Sequence, residues 1–120
     1  MATSGPAGRH RNEVVLCGRL AAAAESRQLP SGDVLTVFRL VVDRPPGRRR
    51  RAGERAPTVD TLDCVAWRAP ARRAAQSWQP GDTVEVTGAL RRRFWRSPVG
   101  PMSRCEVEVE RGHLVRGADR

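Results

Sequence analysis

No apolar run in this 120-residue chain approaches the ~18 residues of a membrane-spanning helix. Residues 1–11 contain Gly, Ala, Ser and Arg without the apolar core of a secretory signal, so the protein is expected to be cytoplasmic. Cysteine is scarce: Cys17, Cys64 and Cys105 are odd in number, far apart and set in apolar or alternating runs. They read as small buried hydrophobes, not as disulfides or zinc ligands. The two histidines, His10 and His113, have no spacing that would build a metal cluster. No Ser/His/Asp or Cys/His set is suggested, and no glycine-rich phosphate loop of the Walker or Rossmann kind occurs. An enzyme is therefore disfavoured, and no catalytic residue, metal or cofactor is expected. Lysine is absent altogether, so all 22 basic residues are arginine.

What the chain has in excess is positive charge, and that charge is concentrated. Net charge is +9. Residues 44–57 hold six Arg and one Glu, and residues 91–96 hold four Arg and no acid. These two stretches account for the whole excess, because the remaining residues carry twelve of each sign. Two patches on an otherwise neutral chain suggest a footprint for a polyanion. No basic amphipathic helix accompanies them, which argues against a membrane surface.

The length suits one domain. Residues 1–11 read as a disordered arm, and residues 12–20 as a first strand with Gly18 as a bend or bulge. A Leu-Pro-Ser-Gly-Asp turn within 28–33 leads to a second strand, 34–43, rich in β-branched residues and apolar on both faces. Arg39 breaks its apolar row and needs water, an acid or a phosphate. Residues 44–57 lack apolar periodicity and read as a long mobile loop, more consistent with a flap along a phosphate chain than with a merely solvated connection. A third strand, 58–67, ends in Trp67; neither of its faces is purely apolar, which puts Trp67 at a surface. In 69–79 the period changes: Ala71, Ala74, Ala75 and Trp78 follow helical spacing, Pro70 opens the helix and Pro80-Gly81 stops it. Trp78 is expected in the core. A fourth strand runs 81–95, a Pro/Gly loop 96–103, and a fifth strand 104–115 has Cys105, Val107 and Val109 alternating with Glu106, Glu108 and Glu110. Residues 116–120 read as a frayed end. The pattern is all-β with one short helix: a five-stranded OB-fold barrel, with the helix between strands three and four.

The stretch 81–95, GDTVEVTGALRRRFW, organises the functional reading. Val84, Val86 and Leu90 share one face at period two. Continuing the alternation places Arg91, Arg93 and Trp95 together on the other. An indole flanked by guanidinium groups suits an unpaired base lying on a π-face with its phosphates alongside. On this strand alone a second reading stands level with it, in which Trp95 is core, the arginines are a solvated edge and a bulge at Gly88 swaps the faces.

The order and spacing of NEVVLCGRL (12–20), ESRQLPSGD (25–33), VFRLVVDRP (37–45), DCVAW (63–67), PGDTVEVTGALRRRFW (80–95) and CEVEVE (105–110) resemble the bacterial single-stranded DNA-binding protein family over 12–115. The resemblance implies an OB barrel, a homotetramer, and sequence-tolerant binding of single-stranded DNA in replication, recombination or repair at the nucleoid. By position, Trp95 matches a stacking tryptophan at the end of the fourth strand, and Trp67 the aromatic that closes the third. Phe94 joins them as a candidate platform, and 44–57 matches a long hairpin that wraps the strand. Arg48, Arg49, Arg50, Arg51, Arg91, Arg93 and Arg96 are the candidate phosphate contacts, with Arg39 weaker. Pro46 and Thr61 stand where some members carry further stacking aromatics, so fewer bases are expected to be held, each worth ~1–3 kcal/mol. The glycine-rich tail with an acidic tip that recruits replication and repair enzymes has no counterpart in 116–120. The alternative within this fold is a module for RNA, or a protein-interaction subunit of a replication complex.

Overall fold

Val84 and Val86 are fully buried while Thr83, Glu85 and Thr87 between and beside them are only half-buried, which is the period-two signature of a strand with one face on a core. The computed structural model describes residues 10–46 and 57–118. They form β1 (Val14–Leu20), β2 (Glu25–Gln28), β3 (Val34–Asp43), β4 (Val59–Ala66), α1 (Ala69–Ser77), β5 (Thr83–Ser97) and β6 (Gly100–Arg116). The expected arm, through residue 9, and residues 47–56 of the arginine-rich loop lie outside the described residues.

The sheet runs β1-β5-β6-β4-β3-β2, and a second pairing of β1 with β3, Leu20 against Leu40, closes it. Five strands thus make a barrel, antiparallel except where β4 runs parallel to β6. At the closure a Cβ on Gly18 would stand 2.6 Å from the Val41 carbonyl oxygen, so this glycine permits the close crossing of β1 over β3. β2 lies outside the barrel, paired to β3 in a hairpin. It was not anticipated, because its four residues, ESRQ, are all polar and exposed. Counted among barrel strands, the helix falls between the third and fourth as expected; in chain order it lies between β4 and β5.

Leu20, Phe38, Leu40, Val84, Val86, Val107 and Val109 fill the barrel. α1 buries Ala71 and Ala75 against it, and Trp78, at the helix C-cap, meets Phe38 edge-on with ring centres 5.6 Å apart. Gln76 Nε2 donates to the hydroxyl of the fully buried Thr36 at 3.2 Å, which satisfies that polar group within β3. Two expectations change here. The segment 96–103 is strand for most of its length, because only Pro98 and Val99 form the turn of the β5–β6 hairpin. Residues 116–118 are held instead of frayed: β6 reaches Arg116, and the Ala118 N–H donates to buried Asp82 at 2.8 Å.

Candidate nucleic-acid interface

Beyond the barrel, β5 and β6 continue as a two-stranded ribbon, and residues 91–96 are all exposed on it. The ladder shifts register between Thr87 and Gly88, with the extra residue, Glu110, on β6. Alternation along β5 is therefore uninterrupted, and Arg91, Arg93 and Trp95 fall on one face, opposite Glu106, Arg104 and Met102. Arg92 and Phe94 take the other face, opposite Cys105 and Ser103. A Cβ on Gly88 would lie 1.9 Å from the Glu108 carbonyl oxygen, so only glycine lets the strands approach at the bulge.

Both ribbon aromatics sit beside a cation. Trp95 is 41% exposed, with the Arg104 guanidinium 6.0 Å from its ring centre. Phe94 is 75% exposed, with Arg92 at the same distance. Arg92 also donates to the Ser103 hydroxyl at 3.1 Å, and Arg96 is exposed.

The arginines on the Trp95 face already have partners. Arg91 Nε donates to Glu108 Oε1 at 2.8 Å, and Arg93 stands 3.8 Å from Glu106. Arg39 donates to Asp63 at 2.9 Å, so an acid is what it found. Arg104 lies 3.9 Å from both Asp63 and Glu106. Arg39, Arg91, Arg93 and Arg104 thus face three carboxylates; with Arg92 and Arg96, six guanidinium groups stand against three acids, a net of +3 where 91–96 alone suggested +4. The Arg91–Glu108 and Arg39–Asp63 pairs have both members a third or more exposed and cost little to exchange for a phosphate. Arg93 and Arg104, by contrast, share the buried Glu106, which would be left uncompensated without them. At the root of the arginine-rich loop Arg44 grips Asp60 through Nε and Nη2, the shortest bond 2.8 Å. The hydrogen bond from Arg44 and its charge hold the Asp60 carboxyl below the usual carboxylate range. The Arg44 N–H donates to the Thr58 carbonyl at 2.8 Å, which closes the base of the loop.

A cavity of about 370 Å³ adjoins this face, between residues 21–27 and a wall of β3, β4 and β6 that includes Arg39, Asp63, Arg104 and Glu106. Cys64 also lines it, and burial, then the nearby Asp63 and Glu106 charges, push its thiol up to about 12. Cys17 and Cys105 are exposed, so burial of all three cysteines does not hold. Glu106, expected on a solvated face, is only 6% exposed, because β6 at that point lies between β5 and β4.

Trp67 follows β4 directly and is half-buried; its carbonyl accepts a hydrogen bond from Arg72 of the helix. Among the described residues no hydrogen bond or ring contact joins it to Trp95. Arg48, Arg49, Arg50 and Arg51 lie outside the described residues. Arg104, Asp63, Glu106 and Glu108 are the site residues that sequence reasoning missed. The Glu alternation of β6 was visible, but its pairing with the arginines depends on strand register. Among the described residues no group of His, Cys, Asp and Glu could hold a metal ion, and no helix is long and apolar enough to cross a membrane.

The model of the single-strand binding protein family matches residues 11–115. The single-stranded DNA-binding protein of Thermotoga maritima is 36% identical over 109 residues, covering 91% of this chain and 74% of that protein. Single-stranded DNA-binding protein 1 of Streptococcus agalactiae is 35% identical over 89 residues, covering 74% of this chain; the match spans about half, 52%, of that relative's length. Among solved structures, a Plasmodium falciparum SSB complex with ssDNA superposes with a TM-score of 0.68 at 22% identity, over 90% of this chain and 96% of that one. At that identity the likeness is one of fold.

Proposed function

The chain belongs to the single-strand binding protein family, and on that premise we propose that it binds single-stranded DNA without catalysis. The observation that carries this reading is the partly exposed Trp95 indole beside the Arg104 guanidinium, on a face with Arg91 and Arg93. An unpaired base stacks on the indole. Arg91 exchanges its carboxylate partner for a flanking phosphate, an exchange of one screened pair for another. Phe94 offers a second platform on the opposite face of the ribbon, and Trp67 a third at the end of β4. Arg96 and the run Arg48 to Arg51 extend the basic path. The site is sequence-tolerant because every base has a π-face. The assembly proposed is a homo-oligomer, serving replication, recombination or repair.

The test is a competition at fixed salt among a dT oligomer, duplex DNA and a folded RNA, read by tryptophan fluorescence. The dT oligomer is expected to quench the signal and to win. Its affinity should fall with salt by about 0.7 log units per log unit for each neutralised phosphate. Preference for the duplex or the RNA would overturn the proposal and favour the RNA or protein-interaction reading.

A further inference from the structure

Asn12 closes a gap at the root of the ribbon. Its Nδ2 donates to the Leu90 carbonyl at 2.7 Å, and the Leu90 N–H donates to its Oδ1 at 2.8 Å. In an antiparallel sheet, two facing residues exchange such a pair of bonds between their backbones. Here one side-chain amide supplies both. The β1–β5 ladder ends with Val14 against Gly88, and continuing its register sets Asn12 opposite Leu90. Residues 10–13 are not strand, so the side chain does what the backbone no longer does.

The place of this bond in the sheet gives it weight. Leu90 pairs with Val107 of β6, and Val107 pairs with Cys64 of β4. Among the described residues this is the last rung of the ribbon held from both sides. Beyond it, Arg91–Ser97 and Gly100–Glu106 pair through backbone only with each other. On the β6 side the rung is held by the backbone of β4. On the β5 side the backbone ladder stops short of it, at Gly88, and Asn12 alone reaches it. The bulge at Gly88 lies directly below, where a ladder bends. A two-stranded ribbon has little stiffness of its own in water, so its aim depends on how its root is held.

We propose that Asn12 is a positioning residue for nucleic-acid binding: its amide clamps Leu90 and so fixes the angle at which the ribbon presents Arg91, Arg93 and Trp95. The inference rests on the single-strand reading above and deepens it with a residue that acts without touching the strand. A ribbon aimed before the strand arrives has no ordering cost left at binding. Without the clamp, only the fraction of molecules with the ribbon correctly aimed can bind, and the apparent Kd rises by the inverse of that fraction.

The experiment measures the Kd of a dT oligomer for the full chain, Asn12→Ala and Asn12→Asp, at neutral pH and again near the ordinary aspartate value of ~3.9. Each variant is read as a ratio to the unmodified protein at the same pH. Alanine is expected to raise Kd about threefold to tenfold, the scale of one or two exposed hydrogen bonds. An aspartate carboxylate still accepts from the Leu90 N–H but cannot donate to the carbonyl, so it too binds weakly at neutral pH. Once protonated it regains a donor in the shape of the amide. Its ratio is then expected to drop below that of the alanine variant, which has nothing to regain. The added charge of aspartate also repels the strand, but charge alone leaves the alanine variant unchanged. A folded alanine variant with a Kd within about twofold of the unmodified protein overturns the inference, as does an aspartate variant no better than alanine at low pH. If alanine fails to fold by circular dichroism, the aspartate variant decides alone: a neutral-pH deficit that persists at high salt supports the clamp, and one that salt screens away is charge and overturns it. Loss of the fold in both variants overturns it as well, because Asn12 would then hold the barrel and not the ribbon. Failure of the unmodified protein to bind the dT oligomer would sink the single-strand reading itself, a distinguishable result.

Discussion

The guanidinium of Arg104 lies 6.0 Å from the centre of the Trp95 ring and 3.9 Å from each of two carboxylates, Asp63 and Glu106. Arg104 and Trp95 stand on different strands and meet because β5 and β6 pair Arg93 with Arg104 and Trp95 with Met102, next along the same face. The same register brings acids against Arg91, Arg93 and Arg104, so these three guanidinium groups are already paired, while Arg92 and Arg96 are not on the acids' face.

This pairing can be relieved by substitution. Glu108→Gln removes the carboxylate that accepts from Arg91 at 2.8 Å. Single-strand affinity is expected to rise a few-fold, the scale of an exposed pair worth up to ~1 kcal/mol, and its salt dependence to steepen. A titration at three salt concentrations measures both, and an unchanged Kd would show that Arg91 makes no phosphate contact.

The barrel was legible in the sequence where burial imposes a period. Val84 and Val86, the apolar row of 34–43 and the Ala71, Ala75, Trp78 spacing each announced their element, because one face of each packs on the core. β2 was not legible, since ESRQ lies exposed and pairs through its backbone alone. Residues 96–103 looked like a loop because Pro98, Gly100 and Pro101 are turn residues, yet the hairpin ladder runs through most of them. In the site, Arg91, Arg93 and Trp95 were placed on one face by counting along a single strand. Their partners Glu106, Glu108 and Arg104 required knowing which residue of β6 lies opposite, and no local pattern encodes that. Glu106 was misjudged for the same reason: alternation placed it outward, and its burial comes from its two neighbouring strands.

The bulge glycine gives a stability prediction. In Gly88→Ala the new methyl would stand 1.9 Å from the Glu108 carbonyl oxygen, so backbone must move. A loss of about 1–3 kcal/mol, the usual cost of forcing extra volume into a packed site, is expected in urea unfolding. The ribbon carrying Trp95 would be re-aimed as well. A variant of unchanged stability would mean that the strands do not approach as described.

The cysteines give a pH prediction. Cys64 ionises at about 12 when folded, against an ordinary value of 9.0, chiefly because burial penalises the thiolate. The unfolded chain releases this proton first. The Cys64 contribution is therefore complete below pH 9 and declines as pH rises from 9 towards about 12. Unfolding measured across that window is expected to show the decline, and Cys64→Ala to flatten it. In native protein at pH 8 a thiol reagent should titrate exposed Cys17 and Cys105 and spare Cys64 until denaturant is added. Three thiols reacting at once would contradict the burial of Cys64.

The most direct measurement is the dissociation constant of a dT oligomer for Trp95→Ala beside Trp95→Phe, at one moderate salt concentration. Stacking on this ring predicts that alanine weakens binding roughly tenfold to a hundredfold, as the loss of one stacked base at ~1–3 kcal/mol requires, while phenylalanine retains much of the affinity and the fold is unchanged by circular dichroism. Equal affinity of the alanine variant and the unmodified protein would contradict it.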